Sequence, residues 1–259
     1  MDLGLRGKTA IVCASSRGLG KGCALALAAE GVNLILAARQ QQDLEKTGKE
    51  IINTFGIKVI TVTADVTTQE GRDRILSACP HPDILINNAG GPPPGDFRQW
   101  TREHWNGALN DNMYSAFDLI RRVIDGMAER RFGRIVNITS ITVKQPIPQL
   151  GLSNGARAAL TGWVSGIARD FAAANVTINN LLPGTFDTER GNAIVAARAK
   201  AEGAALENFA AQFCNNIPAG RLGKAEEFGA TCAFLCSQQA AYITAQNILV
   251  DGGAYPGVF

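Results

Sequence analysis

Short runs of β-branched and aliphatic residues recur along this chain, and the longer segments between them carry the period of amphipathic helices. Segments 9–13, 32–37, 59–63, 84–87, 135–138, 176–182 and 248–250 read as strands, and 20–30, 41–55, 68–79, 101–130, 152–173 and 225–236 are long enough for crossover helices. The strand runs are apolar almost throughout instead of alternating, a pattern that requires burial on both faces. The succession therefore predicts an α/β fold: one domain over 1–259, built as a doubly wound, Rossmann-like parallel sheet of about seven strands with helices on both faces. Ligands of such sheets bind beyond the carboxyl ends of the strands.

Two stretches break the rhythm. Gly90-Gly-Pro-Pro-Pro-Gly95 is neither helix nor central strand, because consecutive prolines fix φ and remove donors; it reads as a stiff loop after the fourth strand. The alanine-rich segment 184–216 follows the sixth strand and is expected to form a helical lid over the substrate.

With 259 residues, 46% of them hydrophobic, the chain can bury one large core. Its net charge of +2 comes from scattered lysines and arginines, so nucleic acid is not an expected partner. The apolar run at 32–38 falls far short of the ~20 residues of a spanning helix. The opening residues lack the basic and apolar segments of a signal peptide, so a soluble, cytoplasmic protein is expected. Six cysteines (13, 23, 79, 214, 232 and 236) show no Cys-x-x-Cys pair. Cys232 and Cys236 share a helical face, but neither His81 nor His104 stands at ligand spacing, so core packing is expected and no metal.

Ala14-Ser15-Ser16-Arg17-Gly18-Leu19-Gly20 lies between the first strand and the first helix, where a dinucleotide pyrophosphate meets a helix N-terminus. The small residues Ala14, Ser15, Gly18 and Gly20 permit close backbone approach. At the end of the second strand Ala38 takes the place of a ribose-binding carboxylate and Arg39 follows, a pairing that favours NADP(H) over NAD(H). Arg17 offers a second cation for the same 2′-phosphate.

These residues, with Asp65-Val66, Asn87-Asn88-Ala89-Gly90, Ser140, Pro183-Gly184 and Asp251-Gly252-Gly253, resemble the motifs of the short-chain dehydrogenase/reductase family over essentially the whole chain. The resemblance extends to its 3-oxoacyl-carrier-protein reductase-like branch. It implies adenine contacts from Asp65 and Val66, a cofactor wall from Asn88, Ala89 and Gly90, and nicotinamide contacts from Pro183 and Gly184. It also implies a catalytic serine at Ser140 and a supporting asparagine at Asn112. Where the family carries Tyr-x-x-x-Lys, this chain carries Ser153 and Arg157. The family is usually oligomeric, so a homotetramer is implied, with small residues such as Gly155, Ala159 and Gly162 in the interface helix.

Ser153 and Arg157 are four apart and share one helical face. An aliphatic hydroxyl is too weak an acid to replace a phenol, whose pKa near ~10 a cation can lower. Arg157 stays protonated and is expected to hold the ribose. Tyr114 points away from the face of Asn112, and Tyr242 and Tyr255 lie near the end of the chain. Lys144, four residues past Ser140, is the local candidate donor. Three readings stay open: an NADP(H)-dependent oxidoreductase acting on a small carbonyl or imine with a non-standard proton donor, a non-redox enzyme (elimination, isomerisation or carbon–carbon chemistry) using the same cleft, and a catalytically silent nucleotide-binding subunit.

Overall fold

In a computed structural model describing residues 2–258, seven strands run parallel: β1 (Thr9–Cys13), β2 (Asn33–Ala38), β3 (Val59–Thr63), β4 (Ile84–Asn87), β5 (Gly133–Ile138), β6 (Val176–Pro183) and β7 (Asn247–Val250). Met1 and Phe259, the ends of the expected domain, lie outside the described residues. The sheet order is β3-β2-β1-β4-β5-β6-β7, so the winding reverses between β1 and β4. That reversal opens a crevice at the carboxyl edge.

The helices are α1 (Gly18–Ala29), α2 (Gln41–Phe55), α3 (Gln69–Ala78), α4 (Arg102–Leu109), α5 (Ser115–Glu129), α6 (Gly151–Ala172), α7 (Glu189–Ala201), α8 (Leu206–Asn215) and α9 (Ala225–Cys236). Successive strand residues face opposite sides. Ala10 and Val12 meet α1, α2 and α9 through Leu27, Leu44 and Phe228, whereas Ile11 and Cys13 meet α3, α5 and α6 through Ile75, Leu119 and Val164. Cys23, Cys232 and Cys236 are wholly buried in the first of these cores. Hydrogen bonds among them and burial hold the Cys232 and Cys236 thiols well above the usual range, so they stay protonated and act as small apolar groups. No helix among the described residues is long and apolar enough to cross a membrane.

The expected helix 101–130 is interrupted. Residues Asn110–Tyr114 form a π turn between α4 and α5. Asn110 Nδ2 donates to the Thr67 carbonyl (3.0 Å) and Ser115 Oγ to that of Asp111 (2.7 Å), which ties the widened turn to the β3–α3 connection. The turn buries Asn112 and leaves Tyr114 exposed. Such bulges recur at functional sites because they re-aim a side chain without ending the helix.

Polar groups inside the sheet are paired along one row. Asn87, Asn137, Asn180 and Asn247 lie opposite one another on β4, β5, β6 and β7. Asn87 Nδ2 donates to Asn137 Oδ1 (2.8 Å), Asn137 Nδ2 to Asn180 Oδ1 (3.0 Å) and Asn180 Nδ2 to Asn247 Oδ1 (2.8 Å). The Asn87 Oδ1 at the head of this row is buried without a partner among the described residues. Beneath α5, Arg72 Nε donates to Asp118 at 2.6 Å, and both side chains are only 4% exposed. The segment after β6 folds into α7 and α8.

Candidate active site

The first turn of α1 faces the crevice. No side chain caps the helix, so its leading N–H groups remain available, and Gly18 adopts φ 57° and Ala14 φ 48° in the loop before it. The loop is anchored from behind: Ser15 N donates to Ala37 O (3.1 Å) and Thr47 Oγ1 to Ser16 O (2.9 Å). Burial pushes the Cys13 thiol beneath it up to about 12, so this cysteine is inert. A side chain at position 20 would put its Cβ 2.2 Å from the Ala14 carbonyl oxygen. Gly20→Ala is therefore expected to displace the loop, weaken NADPH binding at least tenfold and cost about 1–3 kcal/mol of stability, measurable by fluorescence titration and urea melting.

The other strand ends complete the cradle. Val66, Asn87, Asn88, Ala89, Asp111, Asn112, Ile138 and Arg157 line one cleft beside this loop. Asp65 Oδ1 accepts from Thr67 N and Oγ1 (3.0 and 2.8 Å), and its other oxygen lies 3.9 Å from the exposed Arg39. Gly184 N donates to Val250 O (2.9 Å), and a Cβ at Gly184 would stand 2.8 Å from Asp251 Cα, so the end of β6 is set hard against the segment after β7. An open helix terminus, a cradle without side chains and a buried acceptor without a partner fit a dinucleotide. Gly18–Gly20 would hold its pyrophosphate, Asp65 and Val66 its adenine, and Pro183 and Gly184 its carboxamide.

At the end of β5, Ser140 Oγ accepts from Thr142 N (3.1 Å), which leaves the hydroxyl proton free for another partner. Ser153 and Arg157 project from α6 towards the same strand end. Arg157 Nε donates to Ser153 Oγ (3.2 Å), and Nη1 donates to the carbonyls of Ile138 (3.0 Å) and Thr139 (2.7 Å). Arg157 is 9% exposed; burial, and then the charge of Arg190, pull its guanidinium down to about 10. Much of its donor set, expected to hold a ribose, thus buttresses the strand, and Nη2 alone carries no hydrogen bond among the described residues. Asn112 Nδ2 donates to Ala108 O (3.3 Å) while its Oδ1 is buried without a partner. Lys144 is half-buried, with Nζ 5.9 Å from the centre of the Tyr255 ring.

Arg17 does not turn towards Arg39. It pairs with Glu189 at the start of α7, so the glycine loop and that helix are joined by an ion pair. The next residue, Arg190, reaches the opposite way and donates from Nη1 to Gly91 O (3.4 Å). Sequence reasoning missed Arg190, because nothing in the spacing of the lid distinguishes it from a solvated arginine.

The reversal of strand order and the cradle at the carboxyl edge define a nucleotide-binding α/β protein of the Rossmann class. The profile of the enoyl-(acyl carrier protein) reductase family matches residues 13–255. The chain is 32% identical to the NADPH-dependent reductase BacG of Bacillus subtilis, over 97% of this chain and 99% of that protein. It is 30% identical to the 3-oxoacyl-[acyl-carrier-protein] reductase FabG of Escherichia coli, over 98% and 99%. The crystal structure of L-sorbose reductase from Gluconobacter frateurii, complexed with NADPH and L-sorbose, superposes with a TM-score of 0.93 at 29% identity, covering 100% of both chains. The chain belongs to the short-chain dehydrogenase/reductase family.

Proposed function

We propose that this protein is an NADP(H)-dependent reductase of small carbonyl or imine compounds, in which Ser153 and Arg157 stand where most of the family has its tyrosine and lysine. NADP(H), when bound, supplies or accepts the hydride. Ser140 donates its free hydroxyl proton as a hydrogen bond to the substrate oxygen or nitrogen. Ser153, whose oxygen accepts from Arg157, helps orient the same atom but is too weak an acid to protonate it. Lys144, four residues beyond Ser140, transfers the proton and is recharged from water. Arg39 takes the 2′-phosphate, with Arg17 available to it once the Glu189 pair opens.

The observation that carries the reading is the Ser153–Arg157 hydrogen bond at the end of β5: a fixed serine–arginine pair whose arginine lines the same cleft as Val66, Asn88 and Ala89. Two of the relatives named above, BacG, NADPH-dependent by name, and L-sorbose reductase, solved with NADPH, support the choice of NADP(H). The small exposed residues Ala158, Ala159 and Gly162 on α6 support assembly as a homotetramer through that helix.

Two measurements test it. Saturable NADPH binding, tighter than that of NADH, is expected by fluorescence titration, and no binding of either excludes the redox reading. The double variant Ser153→Tyr with Arg157→Lys is then expected to raise carbonyl reduction on the order of 10²-fold, the usual effect of restoring a general acid. Melting temperature and NADPH affinity are recorded alongside, since lysine cannot hold two carbonyls as the guanidinium does. An unchanged rate in folded, NADPH-binding protein would place the chemistry elsewhere.

A further inference from the structure

Arg157 and Arg190 converge on Gly91. A Cβ built on that glycine would lie 2.5 Å from Arg190 Nη2 and 3.3 Å from Arg157 Nη2, so the missing side chain is what lets two guanidinium nitrogens meet at one point beside the cleft. Neither arginine forms an ion pair with a carboxylate among the described residues. Arg157 is bonded to Ser153 and two carbonyls, and Arg190 to the Gly91 carbonyl. Asp111, the carboxylate lining this cleft, accepts from Asn110 Nδ2 instead. Two like charges held together without a counterion is an unfavourable arrangement that an anion would relieve, and the charge of Arg190 is already felt at Arg157.

The location separates this point from the cofactor phosphates. Glu189 and Arg190 are neighbours on the first turn of α7, and successive helical residues diverge by about 100°. Glu189 turns to Arg17 on the nucleotide loop, while Arg190 turns to the Gly91 loop beyond β4. The stiff prolines that follow Gly91 hold that loop in place, and Gly95 N is fastened to the Gln149 carbonyl (2.9 Å), just before α6. Arg157 in turn bonds Ser153, so the meeting point of the two arginines is joined to the Ser153 side of α6.

We infer that the substrate carries a carboxylate, bound between Arg190 and the free Nη2 of Arg157 above Gly91, so that this enzyme reduces an oxo acid and discriminates against the neutral ester. The inference deepens the reductase reading and rests on it for the reaction, though not for the binding of the acid. Two guanidinium donors from different forks suit the two oxygens of one carboxylate.

The test compares 2-oxobutyrate, acetoacetate and levulinate with their methyl esters, by thermal shift and calorimetry, with and without NADPH. At least one acid is expected to bind and stabilise the protein where its ester does not. Arg190→Gln is expected to weaken that acid on the order of 10- to 100-fold, and Arg190→Lys to restore part of the affinity. NADPH affinity is measured on the same variants and is expected to change little. If acid and ester have the same effect for all three pairs, including none, the inference is wrong. It is equally wrong if Arg190→Gln lowers NADPH affinity as much as acid binding, because the arginines then serve a cofactor phosphate. Acid-selective binding in a protein that ignores NADPH would keep the carboxylate site and remove the reductase reading.

Discussion

Arg157→Ala is expected to lower stability by about 2–5 kcal/mol, the range for truncating a large buried side chain, read as a shift in the urea midpoint at unchanged slope. Arginine 157 closes the carboxyl end of β5 onto α6 through Ile138 O and Thr139 O, and alanine leaves the strand end without those donors and a void where the side chain lay. Arg157→Met separates the two costs. It fills most of the volume and also removes a charge that burial disfavours, so it is expected to cost less than alanine. If the two variants melt alike, the carbonyl bonds dominate and packing does not. Both variants lose the Ser153 contact, so turnover is expected to fall in each, more than stability alone explains.

The second large effect lies at Asp118, beneath the cofactor edge. Asp118→Ala strands Arg72, 4% exposed, with the Val66 carbonyl (3.0 Å) as its remaining hydrogen-bond partner, and is expected to cost about 3–5 kcal/mol. Because that last bond holds Val66, which lines the cleft, NADPH affinity is expected to fall as well. The pair also sets an acid limit. Burial raises the Asp118 carboxyl, but hydrogen bonds from Arg72 and Arg121 outweigh it and hold the group below the usual carboxylate range. A depressed folded pKa contributes stability that is full above the unfolded value near ~3.9 and is lost as pH falls through the folded one. The wild type should lose this increment on acidification, and Asp118→Asn should show a flatter stability profile over the same range.

The strand pattern was legible because parallel, doubly covered strands must be apolar from end to end. The 9–13, 59–63 and 84–87 runs coincide with β1, β3 and β4, and the other four differ by one or two residues at an end. What the pattern could not show was the π turn inside 101–130, since a widened turn leaves helical periodicity almost intact and depends on the Thr67 carbonyl from another part of the chain. The candidate site divides in the same way. The glycine loop follows from local backbone needs and the Asn88–Gly90 segment from the family resemblance, and both sit at strand ends. Side chains whose partners are distant did not follow. The sequence offers Arg17 to a phosphate, and it is paired with Glu189; it offers Arg157 to a ribose, and that side chain is largely engaged by a strand end. Tyr255, set aside as remote, comes back under Lys144. Asn87, Asn137 and Asn180 did leave a signal, as amides inside apolar strands, and their common depth in the sheet is what explains them.

Those amides have one further consequence. Asn137 and Asn180 each use the nitrogen towards β7 and the oxygen towards β4, Asn87 uses its nitrogen and Asn247 its oxygen, so none can rotate by half a turn unless its neighbours do. The four side chains therefore behave as a single switchable unit with one polarity, and amide groups aligned head to tail strengthen one another. The row thereby decides which atom Asn87 leaves without a partner among the described residues: an oxygen, whose pull on a donor is reinforced by every amide behind it.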